Sequence, residues 1–236
     1  MKLPLAIGLA CLVTGARASD HNNLDSGRPL RFDDAYSIAF GERTFDFGLN
    51  LDSFRRKAST YGFDAEFKYG FAKNQDIGIG MAQAISGETG KVELSYFHGV
   101  RREIENAPAL AYRVDFGLPT REGEEVDLRL RGIATKALGQ YDRVHLNLDL
   151  GVEPRSAPRY GLILGYSTPL GYPKRFDQTL VAEFTLEQIE GNTHGSLGLG
   201  LRQQVGVRSV FDFGVQTGLI GPDRTTRLTV GYSVGF

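Results

Sequence analysis

Polar and charged side chains that could contact a solute recur at every second position of short stretches between residues 43 and 236. Alternate residues of a strand share one face, so each stretch would present these side chains together. Groups of this kind line the water-filled interior of membrane barrels, where they pair with one another or select ions. The candidate pore-lining residues are Asp64, Glu66, Lys68, Arg113, Asp115, Asp127, Arg129, Arg131, His145, Asn147, Asp149, Glu183, Asp212 and Arg227.

The signs of these charges indicate how such a pore would treat ions. Arg113 lies two positions before Asp115, and Asp127 lies two positions before Arg129, so opposite charges are neighbours on one strand face. Residues 43–236 hold 23 acidic and 23 basic residues. A strong ion filter needs a ring of one sign. We therefore expect little preference for the sign of an ion, and the balance offers no argument for a nucleic-acid partner.

A hydrolytic site is the alternative chemistry that the polar residues could support. It needs a serine, a histidine and an orienting polar partner within hydrogen-bond reach. His145 has no serine two positions along, and His98 follows Ser95 without a third member nearby in the sequence. We predict no enzyme, no catalytic residue, no metal ligands and no cofactor. An outer-membrane hydrolase that acts on lipid, or a barrel with a purely structural role, is the alternative to a pore.

The elements that must position these residues are strands, because apolar and polar residues alternate strictly. Leu228 to Phe236 shows the pattern best, and Val144 to Leu150 and Tyr61 to Tyr69 repeat it. About twelve such stretches follow Arg43, separated by turn signals, and none has helical periodicity. The pattern predicts an all-β protein, a transmembrane antiparallel up-and-down β-barrel of about 12 strands over residues 43–236.

A soluble β-sandwich also alternates apolar and polar residues, so it is the competing fold. The apolar faces here are long and aromatic on nearly every stretch, whereas the opposite faces carry charges. This arrangement fits lipid outside and water inside, with aromatic residues near the interfaces. Closure is required because an open strand edge in hydrocarbon leaves backbone groups without hydrogen bonds.

The residues before the first strand divide into two parts. Residues 1–18 have the basic start, short apolar stretch and Ala16-Arg17-Ala18 site of a cleaved signal peptide. Cleavage would remove Cys11, the only cysteine. Residues 19–42 are polar and acidic, and we predict a solvated periplasmic leader there. A small plug, or a weak site for a divalent cation, is the alternative for this segment.

The C-terminal stretch carries a second signal. A terminal aromatic residue behind alternating apolar positions is typical of the sequences that the outer-membrane barrel assembly machinery recognises. We therefore predict this machinery and outer-membrane lipid as partners, an outer-membrane location and a monomeric state. The residues of the predicted assembly signal are Leu228, Val230, Tyr232, Val234 and Phe236.

Several short motifs resemble one known family. They are Arg28-Pro29, Asp33-Asp34-Ala35, Tyr69 to Asn74, Gly117 to Thr120, Phe211 to Gly214, and Gly231 to Phe236. In order and spacing they resemble a family of transporter-like outer-membrane barrels associated with the meta-pathway degradation of phenol. The resemblance covers about residues 28–236. It implies a barrel of this size that gives passive passage to small solutes, aromatic or hydrophobic ones among them.

Overall fold

The computed structural model describes residues 28–54, 58–85, 90–120, 125–171, 177–221 and 225–236. The predicted signal peptide, residues 1–18, and residues 19–27 lie outside the described residues. No helix within these ranges is long and apolar enough to cross a membrane.

Twelve strands follow one another along the chain, and each pairs antiparallel with the next. β1 also pairs with β12, from Thr44 opposite Gly235 to Phe54 opposite Thr225, which closes the barrel. The predicted all-β, up-and-down barrel is thus confirmed. The strands are β1 (Arg43–Phe54), β2 (Thr60–Ala72), β3 (Gln75–Ala84), β4 (Gly90–Arg101), β5 (Ala109–Pro119), β6 (Asp127–Leu138), β7 (Asp142–Val152), β8 (Arg159–Pro169), β9 (Gln178–Ile189), β10 (Asn192–Gly206), β11 (Ser209–Ile220) and β12 (Thr225–Gly235).

The alternation in sequence becomes an alternation between the two faces of the wall. On β7 the side chain of Leu148 is 55% exposed on the outside, whereas its neighbour Asn147 is fully buried inside. The outward positions of β12, β1 and β10 are likewise apolar and exposed. An outward face of this kind suits hydrocarbon rather than water, because its exposed side chains are apolar.

The barrel has two ends that differ in what they carry. The terminal end holds the start of β1, the end of β12 and the turns after β2, β4, β6, β8 and β10. The loop end holds the other connections. At the terminal end the backbone of Phe236 exchanges two hydrogen bonds with Arg43, at 2.9 and 3.2 Å. The last residue therefore completes the seam between β1 and β12.

Residues 28–40, the inner segment, lie inside the barrel rather than in solvent. Leu30, Phe32, Asp33, Asp34 and Ile38 are all buried there. The solvated leader predicted for residues 19–42 is therefore wrong for the inner segment, and the plug alternative describes it. The acidic composition suggested solvation, but the Asp33 carboxylate has a partner on the wall, and the side chains of Leu30 and Phe32 are buried against it.

Candidate solute pathway through the barrel

The inner segment follows the inside of the wall from strand to strand. Pro29 contacts β11, Leu30 contacts β10 and Phe32 contacts β8. Glycines on the wall make room for it. A Cβ atom added to Gly214 would lie 2.3 Å from the Pro29 carbonyl oxygen, and one added to Gly165 would lie 2.6 Å from the Phe32 ring. These distances are far below a van der Waals contact, so the inner segment fits against the wall only because glycines occupy these two positions.

Arg131 on β6 holds the middle of the inner segment. Its Nη1 donates to the Asp33 carboxylate and to the Arg31 carbonyl oxygen, both at 2.7 Å. Its Nε and Nη2 donate to the two oxygens of Asp149, at 2.6 and 2.7 Å. The guanidinium is almost fully buried, so its charge needs both carboxylates. This one side chain therefore links the inner segment to β6 and β7.

Side chains of the wall also replace the hydrogen bonds that a strand neighbour would supply to the segment's backbone. Asp33 N–H donates to Asn147 Oδ1 at 2.7 Å, and Asn147 Nδ2 donates to the Asp33 carbonyl oxygen at 2.9 Å. Glu183 accepts from the N–H groups of Arg31 and Phe32, at 2.6 and 2.9 Å. Thr135 accepts from Ala35 N–H at 2.9 Å. Buried backbone groups need such partners.

A cavity of about 470 Å³, the vestibule, opens above the inner segment towards the loop end. Residues 28–31 and 33 form part of its lining, together with strands from most of the wall. The predicted pore-lining residues that reach it are Asp64, Glu66, Arg113, Arg129, Arg131 and Arg227.

Most charges in the vestibule are paired with one another. Arg113 donates to Asp115 at 2.6 Å and to Glu66 at 3.0 Å, and Arg129 donates to Asp115 at 2.7 and 2.8 Å. Such pairs satisfy the charges without a solute. Glu93 also lines the vestibule, and among the described residues it makes no hydrogen bond or ion pair. The sequence analysis did not single out Glu93, since nothing local distinguishes it from other inward residues.

The remaining candidates lie on inward positions outside the vestibule lining. Asp115, Asp127 and Asp149 accept hydrogen bonds from Arg113, Lys91 and Arg131. Six of these remaining candidates are buried: Lys68, Asp115, His145, Asn147, Glu183 and Asp212.

A second cavity, of about 590 Å³, lies at the terminal end and is here named the terminal cavity. One side is the later part of the inner segment, residues 35–40. The other side comes from the turns after β2 and β4, with Lys73, Asn74, Arg101, Arg102 and Glu103. The inner segment therefore lies between two cavities that approach it from opposite ends.

Glu103 links the β4–β5 turn to β6 and lies beside the inner segment. It accepts a hydrogen bond from Lys136 Nζ at 2.6 Å, which holds the pKa of its carboxyl below the ordinary value. It also accepts from Ala137 N–H at 3.1 Å. Tyr36 of the inner segment lies beside it, and the Arg143 guanidinium stands over the Tyr36 ring at 5.6 Å.

The fold brings His145 to a serine that sequence spacing had not indicated. His145 Nε2 lies 3.0 Å from Ser167 Oγ on β8, and its Nδ1 lies 3.1 Å from Thr135 Oγ1 on β6. The Phe32 ring covers the imidazole at 4.8 Å between centroids, and both His145 and Ser167 are buried. A hydrolytic triad has a carboxylate where His145 has Thr135, and the Phe32 ring covers the imidazole. These contacts favour a packing role for His145 over a catalytic one.

The other candidates for chemistry are accounted for within the part of the chain that the structure describes. His98 lies on the outward face, with Nδ1 3.2 Å from the Tyr112 hydroxyl and aromatic rings on both sides. No group of three or more His, Cys, Asp or Glu side chains in these residues could hold a metal ion.

Comparison with known proteins supports the fold but shows no family for the chain. No protein-family model matches the chain, and no curated protein matches its sequence. Membership of the phenol-degradation family therefore stays a prediction.

Solved structures of outer-membrane channels are similar to the barrel. The COG4313 outer membrane channel from Pseudomonas putida F1 shares 13% identity with a TM-score of 0.66, over 86% of this chain and 98% of that one. The KdgM porin shares 11% identity with a TM-score of 0.62, over 81% and 99%. The same porin in complex with disordered oligogalacturonate shares 12% identity with a TM-score of 0.66, over 82% and 99%. At these identities, the chain shares its barrel fold with outer-membrane channels and porins.

Proposed function

We propose that the chain is a monomeric outer-membrane barrel that gives passive passage to small solutes, with the inner segment setting the bore. The apolar outward face supports contact with outer-membrane lipid, because each strand turns apolar side chains towards it. The solved structures with a similar fold are themselves described as channels or porins. Both termini would then lie in the periplasm and the loop end outside the cell.

The observation that carries this proposal is the pair of cavities on either side of the inner segment. About 470 Å³ on the loop side and about 590 Å³ on the terminal side are separated by thirteen residues, 28–40. A structural barrel has no need of such cavities, and small-barrel interiors are usually filled by side chains. The narrow part of the pathway is therefore the inner segment rather than the wall.

Liposome swelling tests passage directly. Vesicles that contain the refolded barrel should swell in small neutral sugars, and the rate should fall steeply with solute size because the inner segment narrows the lumen. Empty vesicles are the control, and heat-modifiable gel mobility verifies folding. Folded barrels whose vesicles swell no faster than empty ones would support the structural alternative instead.

Aromatic or hydrophobic solutes are the finer part of the proposal, and the family resemblance supports them. A phenyl glucoside and a glucosylglycerol, which are close in size, separate this preference in the same assay. Faster swelling in the glucoside is expected. Equal rates would leave a general small-solute pore and remove the aromatic preference.

We further propose that the outward stripe of β12 is read by the barrel assembly machinery. Leu228, Val230 and Phe236 are each almost half exposed on the outward face, and Phe236 also contacts Phe67 of β2, with ring centroids 6.1 Å apart. Deleting Phe236 should leave most of the chain as unfolded precursor in the periplasm. The matched control is Phe116→Ala, which truncates an equally outward aromatic residue of β5. Equal outer-membrane yields for the two variants would contradict the assignment.

A further inference from the structure

The terminal cavity has an excess of positive charge. Lys73, Arg101 and Arg102 line it and are exposed, against one carboxylate, Glu103. Glu103 is already bound to Lys136 at 2.6 Å, so it does not neutralise the three cations. The cavity therefore presents a net positive wall to any molecule that enters it.

These cations keep donors for a ligand. Arg102 uses only Nη2, in one hydrogen bond to the Asn74 side chain at 3.2 Å. Arg101 uses Nε and Nη2, both to the Pro108 carbonyl oxygen. Lys73 makes no hydrogen bond or ion pair with the part of the chain that the structure describes. Arg102 and Lys73 can therefore donate to an anionic group without losing a carboxylate partner.

The opposite side of the cavity is mostly apolar, with Ser37 as its polar exception. Ile38, Ala39 and Phe40 line it, and Phe40 is 63% exposed. The Tyr36 ring adjoins them. Ligand sites of this volume are typically mostly apolar, with a few polar groups that fix the orientation. Here the polar groups are cations, and they lie on one side only.

We propose that the terminal cavity is a binding site for small amphiphilic anions, which place a carboxylate against Lys73 and Arg102 and an aryl or alkyl group against Phe40. The terminal cavity lies beyond the inner segment from the vestibule, and this proposal concerns binding there and does not require that the anion cross the barrel. Binding can be measured without transport, so its failure is distinguishable from failure of the pore.

Three probes that share the same apolar group but differ in charge test the site. They are 4-(trifluoromethyl)benzoate, 4-(trifluoromethyl)benzyl alcohol and 4-(trifluoromethyl)benzylamine, observed by ¹⁹F NMR with the full mature chain in phosphatidylcholine nanodiscs. Empty nanodiscs correct for partition into lipid. The benzoate should bind about tenfold more tightly than the alcohol, because charge-assisted hydrogen bonds are the stronger ones. The benzylamine should show no saturable binding.

Variants assign the binding to this cavity. The double variant Lys73→Gln and Arg102→Gln should weaken the benzoate about tenfold and leave the alcohol unchanged. Arg155→Gln, which removes a charge that is 90% exposed at the loop end, is the matched control and should change neither probe. All three side chains are exposed, so folding is expected to survive, and gel mobility verifies it.

Three results would overturn the proposal. One is equal affinity for all three probes, and another is a double variant that binds the benzoate as the unaltered chain does. The third is an absence of saturable benzoate binding to the folded chain.

Discussion

A barrel that lacks residues 20–40 is expected to conduct ions about threefold better or more, because the conductance of a pore depends on its narrowest section. The inner segment lies between the vestibule and the terminal cavity, and the deletion is expected to connect the two. Single-channel recording in planar bilayers gives the conductance directly. The same deletion should also admit larger sugars in the swelling assay.

A point substitution keeps this expectation testable if the shortened chain folds poorly. Gly214→Val puts side-chain atoms where the Pro29 carbonyl oxygen now lies, since a Cβ there would be 2.3 Å from it. The inner segment must then move, and conductance should rise without any deletion. Gly132→Val is the matched control, because a Cβ at Gly132 meets no atom within 4 Å. Unchanged conductance in folded barrels of both the deletion and Gly214→Val would show that the inner segment does not limit the pore.

Arg131→Met is expected to lower the free energy of unfolding by about 3–5 kcal/mol, which is the usual cost of removing one partner of a buried ion pair. Asp33 and Asp149 would remain largely buried without their shared cation. Reversible urea unfolding from lipid vesicles measures the change. The inner segment should also loosen, since Arg131 supplies two of its hydrogen bonds.

The control for Arg131 is an ion pair of similar geometry in contact with solvent. Arg227 binds both oxygens of Asp52, at 2.7 and 2.9 Å, but its side chain is 44% exposed. Arg227→Met should therefore cost less than about 1 kcal/mol. Adding Asp33→Asn to Arg131→Met should recover part of the loss, because one stranded charge is removed. Equal costs for the two arginine substitutions would mean that the Arg131 network contributes no more than a surface pair.

The strands and their faces could be predicted from the sequence because the pattern that defines them is local. Neighbouring residues of a strand point to opposite sides, so Leu228 to Phe236 shows both faces of β12 before any pairing is known. The polar residues chosen by that rule, such as Arg113 and Asp149, do lie on the inward positions. What each of them contacts could not be predicted, since cross-strand partners depend on register and closure.

Asn147 shows the limit of the local pattern. The alternation of apolar and polar residues along β7 placed Asn147 on the inward face, and as a candidate pore-lining residue it was expected to contact water. It is instead fully buried and binds the backbone of Asp33, 114 residues earlier in the chain. The alternation states which side of the wall a residue occupies, but not whether water or protein occupies that side.

The sequence by itself determined an all-β chain with about twelve amphipathic strands, because the period of two follows from backbone geometry alone. Only the tertiary structure decided that residues 28–40 of the polar segment before β1 enter the lumen. Asp33 gains its partner from a strand about a hundred residues away, and the apolar residues Leu30 and Phe32 are covered only once the barrel has closed around them. A buried charge is acceptable only beside its counter-charge. The barrel supplies that counter-charge at Arg131. Composition does not show this partner, so it indicated a solvated segment where the folded chain has a plug.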